Sequence, residues 1–158
     1  MNCLVLEGPG QGGVLYTRRI PLRPDSEAVI TPVIDWLLAQ DGVDPDAVIL
    51  FGRSFAGYLA PRAATSEHRL AALICDPAQY DFGITCPTLA LAGEGDFAGT
   101  GQLTTFTDAL TAPVTAHEFT AAEGAGGHCE GLGQDRLDQF VYGWLTRTLA
   151  DRPAPVTV

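Results

Sequence analysis

Short apolar runs alternate with longer segments of helical periodicity along nearly the whole chain, an alternation typical of parallel α/β sheets. Two of the runs, "AVILFG" at 47–52 and "LAALICD" at 70–76, are apolar at consecutive positions, as expected for strands covered on both faces. The pattern predicts one α/β domain over 1–150, with a mainly parallel sheet of about five strands flanked by helices, and a loose tail at 151–158. The predicted strands span 3–7, 47–52, 70–76, 88–96 and 115–122, and the predicted helices span 26–40, 56–66, 99–110 and 133–150.

The charge balance and the N-terminus exclude several classes of partner and compartment. Among 158 residues, 19 are acidic and 9 are basic, all of them arginine, for a net charge of −10. This balance repels phosphate backbones and anionic lipid surfaces, so we expect neither nucleic acid nor a membrane as a partner. The N-terminus lacks the basic start and long apolar run of a signal peptide, and we expect a cytoplasmic protein.

Neither the cysteines nor the glycine-rich segment predicts a metal or a cofactor. The cysteines form no C-x-x-C pair and are expected as free thiols, and the adjacent His128 and Cys129 lack metal-ligand spacing. The segment "GPGQGG" at 8–13 matches the dinucleotide pattern G-x-G-x-x-G. The following "VLYTRRIPLRPD" has two prolines and no helical period, whereas a dinucleotide site needs a helix N-terminus there. We therefore expect no cofactor.

A serine at the end of the second predicted strand has the setting of a nucleophile. In "FGRSFAGYLAPRAA", Ser54 lies between the strand and a helix, as in the strand–turn–helix motif G-x-S-x-G. Gly52 fills the first position, whereas Ala56 occupies the last and Gly57 comes one step later. The alternative interpretation is a serine that caps the helix.

Two further residues complete a candidate catalytic set with Ser54. Asp96 ends the predicted strand "TLALAGEGD", and His128 lies in the glycine-rich loop "EGAGGHCEG" after the last strand. Each of the three residues follows a predicted parallel strand, so all three are expected at the same sheet edge, in the chain order of α/β hydrolases. Glu94 is an alternative acid. Of the remaining histidines, His68 is expected to be solvated and His117 to face outward from its strand.

A resemblance to a known superfamily is carried by five segments in chain order: "VLEGPGQG", "GRSFAGYLAPRAA", "CDPAQYD", "ITCPTLALAGEGD" and "EGAGGHCEG". Together, from about residue 3 to about residue 149, they resemble the α/β-hydrolase superfamily. More narrowly, they resemble the branch with dihydroxypseudooxynicotine hydrolase, polyketide-shortening hydrolases and dipeptidyl aminopeptidase-like esterases. The resemblance implies Ser54 as nucleophile, Asp96 as orienting acid, His128 as base and the Phe55 backbone N–H as an oxyanion donor. It also implies an ester, thioester or carbon–carbon bond next to a carbonyl of a small molecule as the substrate.

The chain departs from this branch in length. Members that it resembles have three strands and a helical region ahead of the segment at 3–7, and a helical cap between the strands matching 70–76 and 88–96. The resemblance therefore implies a shortened α/β-hydrolase fold that lacks the cap and the loop donating a second oxyanion N–H. An alternative function is a non-catalytic, hydrolase-like remnant that serves as a binding or assembly partner.

The same departure predicts self-association. We expect strand 3–7 to pair with strand 47–52 at one edge of the sheet, and part of one apolar sheet face to be left bare. A large bare apolar patch is rare on a soluble monomer, so we expect a homodimer or a separately encoded partner chain.

Overall fold

The computed structural model describes residues 2–79, 83–98 and 101–151. It contains four parallel strands and five α-helices in these ranges, so the predicted α/β class is confirmed. The strands are β1 (Ile49–Arg53), β2 (Ala72–Asp76), β3 (Thr88–Gly93) and β4 (Val114–Phe119). The helices are α1 (Gly12–Tyr16), α2 (Glu27–Leu38), α3 (Ala56–Ala64), α4 (Gln102–Ala109) and α5 (Gln134–Ala150), and single 3-10 turns lie at Pro45–Ala47 and His128–Glu130.

The sheet adds its strands in chain order, β1-β2-β3-β4, and every neighbouring pair is parallel. α3 connects β1 to β2, and α4 connects β3 to β4. Because all four strands run the same way, their carboxyl ends lie along one edge of the sheet. At this edge Arg53 of β1 pairs with Asp76 of β2.

Both faces of the central strands are covered within the chain. Every residue of β2 and β3 is buried, and consecutive residues enter opposite cores because strand side chains alternate between faces. On one face, Leu73 and Cys75 pack with α2, α3 and α4, and on the other, Ala72 and Ile74 pack with α5. The expectation of a bare sheet face is therefore wrong for β2 and β3, because α5 covers its face with four buried side chains. These four are Leu137, Val141, Trp144 and Leu145.

The apolar run at 3–7 is not a strand, so the prediction of a fifth strand beside β1 is wrong. Leu4, Val5 and Leu6 are 49%, 85% and 42% exposed, and β1 pairs only with β2 among the described residues. A strand is stable only when a neighbouring strand accepts its hydrogen bonds. Its apolar residues favour a β-strand, but the segment lies along the surface, and none of the described strands lies beside it.

One local detail of the N-terminal half also differs from expectation. The glycine-rich segment continues into the short helix α1, although the sequence there has no helical period. Ser26 precedes α2 without capping it, since its Oγ donates to the Leu59 carbonyl at 2.9 Å and thereby ties α2 to α3. The start of the helix predicted at 99–110, part of the segment "CDPAQYD" and all but the first residue of the predicted tail at 151–158 lie outside the described residues. Among those described, no helix is long and apolar enough to cross a bilayer.

Candidate active site

Ser54 lies on a tight turn at the carboxyl edge of the sheet. β1 ends at Arg53 and α3 begins at Ala56, which leaves Ser54 and Phe55 as the turn. Ser54 has φ of 57°, a left-handed conformation that residues other than glycine rarely adopt, and its N–H donates to the Asp76 carbonyl at 2.7 Å. Strained backbone of this kind clusters at functional sites, which distinguishes this serine from an ordinary helix cap.

The small residues around Ser54 are required by close packing of the turn. A Cβ on Gly52 would collide with the Ala56 carbonyl oxygen, and a Cβ on Gly57 would collide with the Pro77 carbonyl oxygen. The closest approach of α3 to β2 thus falls at Gly57, one residue after the last position of the G-x-S-x-G motif. This explains why the chain tolerates alanine at position 56.

The structure brings His128 and Asp96 to the Ser54 side chain. The Ser54 Oγ is 2.8 Å from His128 Nε2, and His128 Nδ1 is 2.9 Å and 3.0 Å from the two Asp96 carboxylate oxygens. Because a carboxylate only accepts hydrogen bonds, the tautomer with hydrogen on Nδ1 satisfies both contacts and leaves the Nε2 lone pair facing the serine hydroxyl. Ser54, His128 and Asp96 therefore form one continuous hydrogen-bonded chain, which we call the Ser–His–Asp cluster.

Close backbone packing holds the histidine loop against the aspartate turn. The Gly127 N–H donates to the Glu94 carbonyl at 2.8 Å, and a Cβ on Gly93 would collide with the Gly127 carbonyl oxygen. The Asp96 side chain is only 1% exposed, whereas the His128 side chain is 31% exposed and Ser54 is exposed. The cluster is thus closed to water at its acidic end and open at the serine.

The other titratable candidates lie away from Ser54. The Glu94 carboxylate accepts from the Ala121 N–H at 2.6 Å, which directs it toward the loop after β4. The His68 ring lies 3.3 Å from the Thr85 hydroxyl on the surface. His117 is half-buried and stacks on the Phe140 ring of α5 with centroids 4.4 Å apart, so the expectation that it faces outward is wrong.

Arg53, next to Ser54, connects the serine turn to the histidine loop. Its guanidinium donates to the Cys129 carbonyl at 2.8 Å, and its Nε lies 3.7 Å from an Asp76 carboxylate oxygen. The sequence leaves open whether this arginine contacts substrate or has a structural role. These contacts supply a structural role, since they fix the position of the residue that follows His128.

The rim of the site offers one free backbone donor and three aromatic rings. Among the described residues, the Phe55 N–H donates to no acceptor, so it remains available beside the Ser54 Oγ. Phe55 and Tyr58 are 48% and 41% exposed, with their rings stacked 6.1 Å apart. Phe97 is 85% exposed and lies 5.2 Å from the His128 ring. Exposed aromatic rings are therefore present next to His128 and on the residues that follow Ser54.

Beneath the cluster lies a pair of buried carboxyl groups that sequence reasoning missed. Asp76 and Glu130 are both fully buried, and burial raises the pKa of each carboxyl group, that of Glu130 to about 9. The facing Asp76 carboxyl adds to the shift of the Glu130 pKa, while Arg53 opposes it. The one sequence signal is positional, since Asp76 ends a strand at the site edge and Glu130 comes two residues after the candidate base. Within the described ranges, no group of three or more histidine, cysteine or acidic side chains is arranged to hold a metal ion.

Comparisons with known proteins place this chain in a class. No family model matches the chain. An α/β hydrolase of Penicillium citrinum is 36% identical over 116 residues, and the match covers 67% of this chain and 27% of the relative. The α/β hydrolase ucsC of an Acremonium species is 40% identical over 85 residues, covering 50% of this chain and 17% of the relative. The chain thus spans about a quarter or less of the length of these two relatives.

Solved structures show the same fold at lower identity. The 2,6-dihydroxy-pseudo-oxynicotine hydrolase superposes with a TM-score of 0.77 at 22% identity, covering 96% of this chain and 54% of that one. A dienelactone hydrolase from Anabaena variabilis superposes with a TM-score of 0.67 at 21% identity, covering 85% of this chain and 65% of that one. The fold is that of an α/β hydrolase in shortened form. With the named relatives, it shows that the chain belongs to the α/β-hydrolase superfamily.

Proposed function

We propose that the protein is a serine hydrolase in which Ser54 is the nucleophile, His128 the general base and Asp96 the orienting acid. The observation that carries the proposal is the unbroken Ser–His–Asp cluster, with the Ser54 Oγ 2.8 Å from His128 Nε2. A serine hydroxyl is a weak nucleophile on its own and needs an adjacent base held by a third group. Membership of the superfamily and the names of the relatives support the more general function, which is hydrolysis.

The geometry supports a two-step acyl transfer. The Ser54 Oγ attacks the substrate carbonyl while His128 Nε2 takes the hydroxyl proton, and Asp96 stabilises the imidazolium that forms. His128 then gives this proton to the leaving group, which departs and leaves an acyl-serine. A water molecule, deprotonated by the same nitrogen, attacks the acyl-serine and releases the acid and the free serine.

The Phe55 N–H is the oxyanion donor of this proposal. It is free among the described residues and belongs to the residue after the nucleophile, as in the α/β-hydrolase arrangement. Loss of one oxyanion donor typically lowers kcat by about 10²–10³-fold. We propose a contribution of this size for the Phe55 N–H.

The apolar rim favours small-molecule esters, thioesters or ketones with apolar groups beside the carbonyl. Phe97 lies beside the His128 ring, Phe55 and Tyr58 follow Ser54 closely in the chain, and all three expose ring faces to such a group. The proposed class includes cleavage of a carbon–carbon bond next to a carbonyl. The names of the structural neighbours, which include a thioesterase and a dienelactone hydrolase, support carbonyl chemistry of this kind.

The test is covalent labelling by a fluorophosphonate, which reports an activated serine without knowledge of the substrate. We expect a single labelled peptide containing Ser54. We expect Asp96→Asn to slow labelling by up to about 10⁴-fold, because the amide favours the wrong imidazole tautomer at His128. Mass spectrometry of the labelled peptide and the labelling rate are the measurements.

Asp108→Asn is the control for this substitution, since Asp108 lies on α4 away from the cluster. It should label at the rate of the unsubstituted protein. Equal labelling rates for Asp96→Asn and Asp108→Asn would contradict the role of Asp96, and labelling at a serine other than Ser54 would contradict the nucleophile.

We propose that the protein works in the cytoplasm. All four cysteines are free thiols, and Cys3 is exposed. Exposed free thiols are kept reduced in the cytosol, which supports this compartment.

A second candidate function is assembly with another polypeptide, either a second copy or a partner chain. The observation that favours it is a strip of exposed apolar side chains on the N-terminal segment and the free edge of the sheet. Its members are Leu4, Val5, Leu6, Ile20, Leu22 and Phe51.

Light scattering tests this second candidate. We expect a solution mass above the 16.7 kDa of one chain, because pairing would remove the exposed strip from water. Val5→Asp should shift the mass toward one chain, since a carboxylate in the buried strip would be desolvated. A stable single chain that captures no partner under dilute conditions would contradict assembly.

A further inference from the structure

The Asp76 and Glu130 carboxyl groups form a closed pair that the proposed acyl transfer does not use. Both residues are 0% exposed, and none of the four carboxylate oxygens has a hydrogen-bond donor among the described residues. The two groups face each other, and as two carboxylates they offer only acceptors. A single proton converts them into a donor and an acceptor, so one proton satisfies the pair.

The pair lies where the serine turn meets the histidine loop. The Asp76 backbone carbonyl accepts from the Ser54 N–H at 2.7 Å and from the Cys129 thiol at 3.4 Å. Glu130 closes the 3-10 turn that begins at His128, and both Cys129 and Glu130 have φ of 50°. Left-handed backbone at two consecutive residues persists only when the surroundings hold it in place. A proton held between the Glu130 and Asp76 carboxyl groups would supply that hold from inside the protein.

The charges around the pair do not neutralise it when both groups are ionised. Arg53 approaches Asp76 from β1 with its Nε at 3.7 Å, but this arginine side chain is 46% exposed. Asp96 adds negative charge from the turn after β3, and Cys129 carries a thiol whose pKa is raised to about 11, mainly by burial. His128 is the remaining titratable neighbour and is committed to Asp96. One arginine thus faces two buried carboxyl groups, and a shared proton leaves one negative charge for Arg53 to balance.

We propose that Asp76 and Glu130 share one proton at neutral pH and act as a positioning pair that fixes the His128 loop against the Ser54 turn. The shared proton joins the end of β2 to the residue two positions after His128. Loss of this proton places two like charges in contact without solvent and releases the loop. The positioning role rests on the proposed function of Ser54 and His128, whereas the shared proton itself does not.

The pair makes stability depend on pH in a defined direction. A glutamate in the unfolded chain loses its proton near pH 4.5, whereas burial holds the proton on folded Glu130 up to about pH 9. Between these values the folded protein carries one proton more than the unfolded chain, so the stabilising contribution of this group falls as pH rises. Above about pH 9 both states have lost the proton and the contribution is constant.

The first experiment compares the unsubstituted protein with Glu130→Gln in urea unfolding across this pH range. The glutamine amide donates to Asp76 without a titrating proton. We therefore expect the unfolding equilibrium constant of the unsubstituted protein, divided by that of Glu130→Gln, to grow about tenfold per pH unit. Glu118→Gln, at an exposed position of β4, is the matched control and should show no such trend. A difference in the free energy of unfolding between the two proteins that does not change with pH would overturn the shared proton.

The second experiment detects the proton directly and does not require a stable variant. Infrared difference spectra of the unsubstituted protein, taken between neutral pH and a pH above about 9, should contain the C=O band of a protonated carboxyl group in a site without water. The band should disappear above about pH 9 and should be unchanged in Glu118→Gln. Its absence at neutral pH would overturn the proposal even if Glu130→Gln does not fold.

Fluorophosphonate labelling then separates the positioning role from the proposed function. If Ser54 is reactive, the labelling rate should fall above about pH 9 in the unsubstituted protein and persist in Glu130→Gln. Identical pH profiles for the two proteins would overturn the positioning role. If Ser54 is unreactive at every pH, the hydrolase proposal fails, while the infrared band and the urea series still decide the shared proton.

Discussion

Ser54→Ala is expected to abolish fluorophosphonate labelling and to lower ester hydrolysis by up to about 10⁶-fold. The reason is that the Ser54 Oγ is the atom facing His128 Nε2, and the arrangement offers no second nucleophile in that position. The backbone turn should be unaffected, because the Asp76 carbonyl bonds the residue 54 N–H and not the side chain. Hydrolysis of an activated ester such as p-nitrophenyl butyrate, measured together with labelling, is the test.

The matched control is Ser66→Ala, at an exposed position just after α3. It should label and hydrolyse as the unsubstituted protein does. Residual hydrolysis equal to that of Ser66→Ala would show that the measured activity does not pass through Ser54. A lower melting temperature of Ser54→Ala would indicate a structural role for the hydroxyl instead.

The second large effect is expected from Gly52→Ala. A methyl group at this position collides with the Ala56 carbonyl and lies 2.6 Å from the Ala60 Cβ, so α3 must move away from β1. Overpacking of a core costs about 1–3 kcal/mol, and here the colliding atom is backbone that cannot turn aside. We expect a loss of about 3 kcal/mol in the free energy of unfolding and no fluorophosphonate labelling, measured by urea denaturation and by the labelling assay.

Gly143→Ala provides the contrast within the same chain. Gly143 lies inside α5, and an added Cβ would meet only the end of the Arg147 side chain at 3.5 Å. Because glycine weakens a helix, this substitution should raise the free energy of unfolding by about 0.4–1 kcal/mol. A similar effect of both substitutions on stability would mean that packing at Gly52 does not shape the serine turn.

The three residues of the Ser–His–Asp cluster could be expected at one sheet edge because they carry local signals in the sequence. Ser54 and Asp96 come shortly after apolar runs, His128 lies in the loop after the last predicted strand, and the carboxyl ends of parallel strands must meet at one edge. Their convergence therefore follows from strand direction alone. The need for glycine at positions 52 and 57 also follows from local structure, since a strand that turns sharply into a helix leaves no room for side chains.

Features that depend on distant contacts could not be predicted in this way. The run at 3–7 has the apolarity of a strand, but its sequence does not reveal whether a second strand lies alongside. The Asp76–Glu130 pair depends on two segments that meet only after β2, β3 and β4 are assembled. Glutamate two residues after a histidine predicts a solvated side chain, and only the three-dimensional packing shows that it is buried.

The strands lie in the sheet in the same order as in the chain, and this order matters while the protein is being synthesised. Synthesis delivers β1, the serine turn and α3 well before the loop with His128, which emerges only after β4. Chains fold from the N-terminal side as they leave the ribosome. Until residue 128 arrives, the hydroxyl of Ser54 has no base beside it. Under the proposed function, an unfinished or prematurely ended chain would therefore be harmless to the acyl compounds around it, and reactivity would appear only when the last strand and its loop are in place.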